Sequence, residues 1–116
     1  MSSDRTTHQQ IQALATEIVH QIAAERYDNL RADRGPVSDF VEAVKRFRID
    51  GYTIVDLPPE AFEQFDMYEP NEFGNEWLVN VPLWTRERGR SDLQLNLVFR
   101  QGGDGLVGYV DDIYVP

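Results

Sequence analysis

The 116-residue chain contains no cysteine. That absence excludes a disulfide framework, a thiolate metal site and a thiol nucleophile, and it leaves the redox compartment open. Histidine is nearly as scarce. His8 falls before or at the start of the first predicted helix, and His20 falls on that helix's polar side. Spacing gives neither a partner, so no zinc site, no Ser–His–Asp arrangement and no cofactor is expected. No run approaches the roughly 18 to 20 apolar residues of a membrane span, and no basic start followed by an apolar block opens the chain. A cytoplasmic protein is the expectation. Basic residues are missing from Ile49 to Thr85, a window that holds Asp50, Asp56, Glu60, Glu63, Asp66, Glu69, Glu72 and Glu76. Both flanks are basic, with Lys45, Arg46 and Arg48 before the window and Arg86, Arg88 and Arg90 after it.

What is present describes one domain spanning residues 1–116, with 41% apolar and 11% aromatic residues to build a core and an ordinary 27% charged fraction. Eleven Lys and Arg against twenty Asp and Glu leave a net charge of −9. That sign repels phosphate backbones and anionic lipid, so neither a nucleic-acid nor a membrane partner is expected. The acidic window reads either as a solvated face or as a docking face for a basic protein.

Ile11, Leu14, Ala15, Ile18 and Ile22 recur at three- and four-residue steps and predict an amphipathic helix that bends or stops near Ala24 to Tyr27. Thr6 with Gln9, or Thr7 with Gln10, offers a capping-box start. Gly35-Pro36 breaks the chain, and Ser38 then caps a second helix through about Arg48 with Phe40, Val41, Val44 and Phe47 inward. Asp50-Gly51 turns into a short strand at Tyr52 to Leu57, followed by a brief helix opened by Pro58-Pro59-Glu60. Trp77, Val79, Val81 and Leu83 alternate with polar or outward residues, as do Leu93, Leu95, Leu97 and Phe99, which predicts two half-buried strands. Glu87-Arg88-Gly89 suits a three-residue hairpin with Gly89 left-handed, pairing Trp84 with Asp92 and Leu83 with Leu93. Pro82 requires an edge or a bulge there, and an edge fits a meander with this strand outermost. A third strand runs from Leu106 to Val115. If Phe99 opposes Val107, then Tyr109, Asp111 and Ile113 face inward and Val110, Asp112 and Tyr114 outward. The expected class is α+β: two N-terminal helices and one short helix on a curved, mainly antiparallel four-stranded sheet.

Several motifs fail on context. Gly103, Gly105 and Gly108 spell G-x-G-x-x-G, but a strand follows where the dinucleotide fingerprint needs a helix. Leu106 stands where a calcium-binding repeat begun at Gly102-Gly103-Asp104-Gly105 needs a carboxylate, and the EF-hand ligand order is absent. Asp111 and Asp112 are strand neighbours that point to opposite faces, so they do not form a dyad. An inward Asp111 is a candidate general base, or else simply bonds a backbone N–H or an arginine at the sheet rim. Trp84, with Leu78, Val98, Val110 and Tyr114, makes the outer sheet face less polar than usual. Cover by the Met67–Asn75 loop or a partner, including a second copy in a homodimer, would account for that.

The order of elements resembles the NTF2-like and cystatin-like α+β folds, and the stretch Ala24 to Leu30 is similar to the junction between the first two helices of NTF2-like domains. The segments Pro82-Leu83-Trp84-Thr85, Gly89-Arg90-Ser91-Asp92-Leu93 and Asp111-Asp112-Ile113-Tyr114-Val115 resemble a group of short bacterial domains with an LWT…GRSDL…DDI-x-V signature. The fold resemblance implies a conical pocket. The signature implies no activity or site residue. The leading expectation is a non-enzymatic binding module, of the kind that neutralises a basic partner as an immunity protein does. It would be steered by Glu60, Glu63, Glu69, Glu72 and Glu76, with Tyr68 or Trp84 as anchor. The rival is a pocket protein that binds or converts a small hydrophobic ligand, lined by Tyr27, Trp77 and Tyr109, with Asp111 as its acid or base.

Overall fold

The computed structural model describes residues 3–68 and 75–116, with side chains from Thr7 onward. Helix α1 (Ser3–Ala23) buries Ile11, Ala15, Val19 and Ile22 along one stripe, as the periodicity requires. It starts before Thr6 and Thr7, so neither capping box opens it. It stops where the stripe runs out, in a Schellman motif. The Arg26 N–H donates to the Gln21 carbonyl at 2.8 Å and the Glu25 N–H to the Ile22 carbonyl at 3.1 Å. Helix α2 (Val37–Ile49) follows the Gly35-Pro36 break, buries Phe40 and Val44, and has Pro36, not Ser38, at its N-cap. It ends in the same motif, with Tyr52 N–H on the Phe47 carbonyl and Gly51 N–H on that of Arg48.

A 3-10 helix (Pro59–Gln64) precedes strand β1 (Asp66–Tyr68), followed by β2 (Glu76–Thr85), β3 (Gly89–Gly102) and β4 (Gly105–Tyr114). The strands form one antiparallel sheet in sequence order, and the helices pack against it as an α+β fold. The fourth strand is thus Asp66–Tyr68 and not Tyr52–Leu57, which makes only an isolated bridge, Ile54 to Thr85. Nor is β2 outermost, because β1 lies beyond it along Leu78–Asn80. Among the described residues no helix is long and apolar enough to cross a membrane.

The predicted inner face holds for β2 and β3. Trp77 faces Phe99, Val79 faces Leu97 and Val81 faces Leu95, all buried against the helices. Two bulges interrupt the ladders. Past Pro82, which has no N–H to offer, Trp84 pairs with Arg90 instead of Asp92, so Ser91, Asp92 and Leu93 all stand opposite Leu83. The Ser91 hydroxyl repairs the gap, donating to the Leu83 carbonyl at 2.8 Å and accepting the Leu93 N–H at 3.2 Å. The predicted left-handed turn is present at Gly89, with φ +66°.

The second bulge is at Asp111 and overturns the expected register of β4. Phe99 opposes Gly108, Leu97 opposes Val110 and Leu95 opposes Ile113, with Asp111 the extra residue between Val110 and Asp112. Val110 is therefore inside, and Tyr109 lies outside opposite Val98. Gly108 is where the Phe99 ring needs room, since a Cβ there would sit 2.7 Å from its Cε1 and 3.1 Å from Ile18 Cδ1. Main-chain bonds from Asp33 N–H to the Val110 carbonyl and from Val110 N–H to the Arg31 carbonyl cover the far edge of β4 at this point.

Candidate functional site

Within the cation-free window, Asp56, Glu60, Glu63 and Asp66 are all exposed along the ribbon that runs from Ile54 through the 3-10 helix into β1. Among the described residues Glu60, Glu63 and Asp66 have no ion-pair partner. The ribbon ends at Tyr68, 57% exposed, on a strand only three residues long. Glu69 and Glu72 lie outside the described residues. Glu76 is not free: its Oε2 accepts from Arg100 Nε at 2.7 Å. Trp84 is half-buried on β2, and its carbonyl receives the Val55 N–H at 3.0 Å.

Across the outer sheet face the register aligns Tyr68, Leu78, Val98 and Tyr109 in one row, and Asp66, Asn80, Asn96 and Asp112 in the next. Arg100 closes one end of the apolar row. Its guanidinium lies 5.2 Å from the Tyr109 ring centroid and reaches the nearly buried Asp33 carboxylate at 2.7 Å. The hydrogen bonds to Glu76 and Asp33 hold the Arg100 pKa above its ordinary value, so the strap across β2, β3 and β4 is permanently charged.

The four residues expected to line a conical pocket are not brought together. Trp77 is buried in the core, which fills the space between helices and sheet, and Tyr109 lies beneath Arg100 on the opposite face. The bulge takes Asp111 away from Leu95 and Ile113 to the rim of β4, 3.9 Å from Arg34. Only Tyr27 borders a sizeable cleft. Burial, then the neighbouring Glu25, raises its phenol pKa, so it stays protonated.

That cleft, of about 420 Å³, has walls that the sequence reading did not bring together, Tyr27 being the one expected pocket residue at its edge. The C-terminal ends of α1 and α2 form one side, and the segment Tyr52–Asp56 forms the other, above a floor of Ile22, Val44 and Ile54. Hydrogen bonds fix the second wall to the β2–β3 hairpin. Thr53 N–H and Oγ1 donate to the Glu87 carboxylate at 2.8 and 2.6 Å, and the Arg86 N–H donates to the Thr53 carbonyl at 2.9 Å. His20 Nδ1 meets Asp56 Oδ1 at 2.9 Å, and Arg48 is ion-paired with Glu25. Glu25 has φ +59° at the helix position where α2 uses Gly51, and is the only non-glycine with positive φ among the described residues. A side chain there costs about 1–2 kcal/mol over glycine. The available hint was that Arg48 and Arg86 are the last and first cations bounding the cation-free window, and the Ile54–Thr85 bridge brings them to one cleft.

A family model matches residues 16–116, from the middle of α1 to the last residue. The chain belongs to DUF7668, a domain family of unknown function. The match takes in both helix ends that shape the cleft, the acidic ribbon and the whole sheet of this DUF7668 domain. No curated protein and no solved structure matches the chain.

Proposed function

We propose that this domain is a non-enzymatic, cytoplasmic binding module that engages a basic protein partner through the ribbon from Asp56 to Tyr68, neutralising that partner as an immunity protein would. The observation that carries this reading is the exposure of Glu60, Glu63 and Asp66 with no compensating cation among the described residues, beside an exposed Tyr68. Unpaired carboxylates of one sign steer a basic surface into encounter, and a tyrosine supplies contact area at little rotamer cost. Tyr68, Ile49 and Val115 are the exposed large apolar side chains among the described residues, which favours one aromatic anchor over a broad apolar interface between two copies. The test is affinity capture from source-cell extract at low ionic strength, followed by calorimetry with the purified, identified partner at increasing salt. The association should weaken as salt rises, and should weaken again in the triple variant Glu60→Gln, Glu63→Gln, Asp66→Asn. A salt-independent affinity, or one the triple variant leaves intact, overturns the proposal.

A further inference from the structure

We infer that the cleft between the two helix ends and the Tyr52–Asp56 segment is a binding site for a small organic monoanion carrying a short apolar body, such as a monocarboxylate. The cleft adjoins the acidic ribbon at Asp56, but the inference does not depend on the protein-binding reading.

The charges lining the cleft argue for this ligand. Arg48 is neutralised by Glu25 and His20 is engaged by Asp56, while Arg86 has no acid within ion-pair distance among the described residues. Arg86 is therefore the cation on the wall that no carboxylate pairs, in a protein whose net charge is −9. Two helix C-termini would ordinarily make such a place attractive to cations. Here both Schellman motifs already occupy terminal carbonyls, those of Gln21 and Ile22 in α1 and of Phe47 and Arg48 in α2. The main chain of Arg86 is fixed at the cleft wall, because its own N–H is anchored on Thr53, which is clamped in turn by Glu87. Because the Asp56 contact uses His20 Nδ1, Nε2 is the ring nitrogen left to donate to a bound anion when the ring is protonated. Beneath these groups Ile22, Val44 and Ile54 offer an apolar floor, and about 420 Å³ lies within the range of small-molecule sites. The backbone strain at Glu25 fits the same purpose, since it lets a carboxylate hold Arg48 at the cleft wall where glycine would leave that cation loose.

Titration of the 15N-labelled protein with benzoate, followed by amide spectra, tests the inference, with inorganic phosphate and n-hexylammonium as controls. Benzoate should produce saturable shifts at Ala24, Thr53, Val55 and Arg86, with a dissociation constant on the order of 1 mM for so small a probe. Arg86→Gln, an exposed substitution, should weaken binding about tenfold, and Arg86→Lys should recover part of it. Unchanged melting of both variants would show that the loss is not unfolding. Shifts that never saturate, equal affinity in Arg86→Gln, or saturation by phosphate or hexylammonium in place of benzoate would each overturn the inference.

Discussion

Adding a single methyl group at Gly108 separates steric from conformational effects. Gly108 does not have positive φ, so alanine meets no backbone strain there, and in open space the substitution would stabilise the fold by about 0.4–1 kcal/mol through the unfolded chain. The space is not open. The new Cβ would stand 2.7 Å from Cε1 and 3.2 Å from Cδ1 of Phe99, and 3.1 Å from Ile18 Cδ1. Phe99 is fully buried, so its ring has nowhere to retreat without displacing the Trp77 side of the core. Overpacking of this kind costs about 1–3 kcal/mol, so the clash outweighs the entropy gain and leaves a net loss of about 1–2 kcal/mol. With an unfolding entropy of roughly 2.1 cal/mol/K per residue, a 116-residue domain loses about 4 °C of Tm per kcal/mol. Thermal unfolding followed by circular dichroism should therefore show Gly108→Ala melting about 4–8 °C below the wild type. In a Phe99→Leu background, which removes the obstructing ring, the same substitution should cost much less. A Tm for Gly108→Ala equal to or above that of the wild type would refute the placement of Phe99 over Gly108, and with it the β4 register.

The other predictions concern polar repairs. Ser91→Ala leaves the Leu83 carbonyl and the Leu93 N–H without their buried partner, which should cost about 2 kcal/mol and about 8 °C by the same melting assay; an unchanged Tm would mean that the bulge does not depend on the hydroxyl. Glu87 is held below the usual carboxylate range by its two hydrogen bonds from Thr53, so the unfolded chain binds the proton more tightly than the folded one. That contribution is complete above the unfolded pKa and fades as pH falls through the lower folded value. The Tm advantage of wild type over Glu87→Gln should accordingly be flat near neutrality and shrink below about pH 4, and a gap that widens on acidification would contradict the clamp.

The alternation in β2 and β3 could be read from the sequence because strand periodicity is local, and a wrong register would turn Trp77, Val81, Leu95 and Phe99 to water together. The Gly89 turn was legible for a related reason: the left-handed conformation is a property of single residues. The stop of α1 near Ala24 to Tyr27 followed from the end of its apolar stripe, although nothing local announced a glutamate in the left-handed position. Of the acidic ribbon, sequence supplied the charges but not their partners, which is why Glu76 looked as free as Glu60 until Arg100 was placed beside it.

Residue types and their spacing determined the class of fold, the inner face of the long hairpin and the sign of the surface charge, all of which depend on periods of two or 3.6 residues and on composition. Tertiary structure alone decided the extra residue at Asp111, the outward turn of Tyr109, the true register of β4 and the meeting of Arg48 with Arg86 across the window between them. Those outcomes rest on hydrogen bonds between distant segments, Asp33 to Val110 and Thr53 to Arg86 and Glu87, whose partners are chosen only when the sheet has formed and its edges need covering.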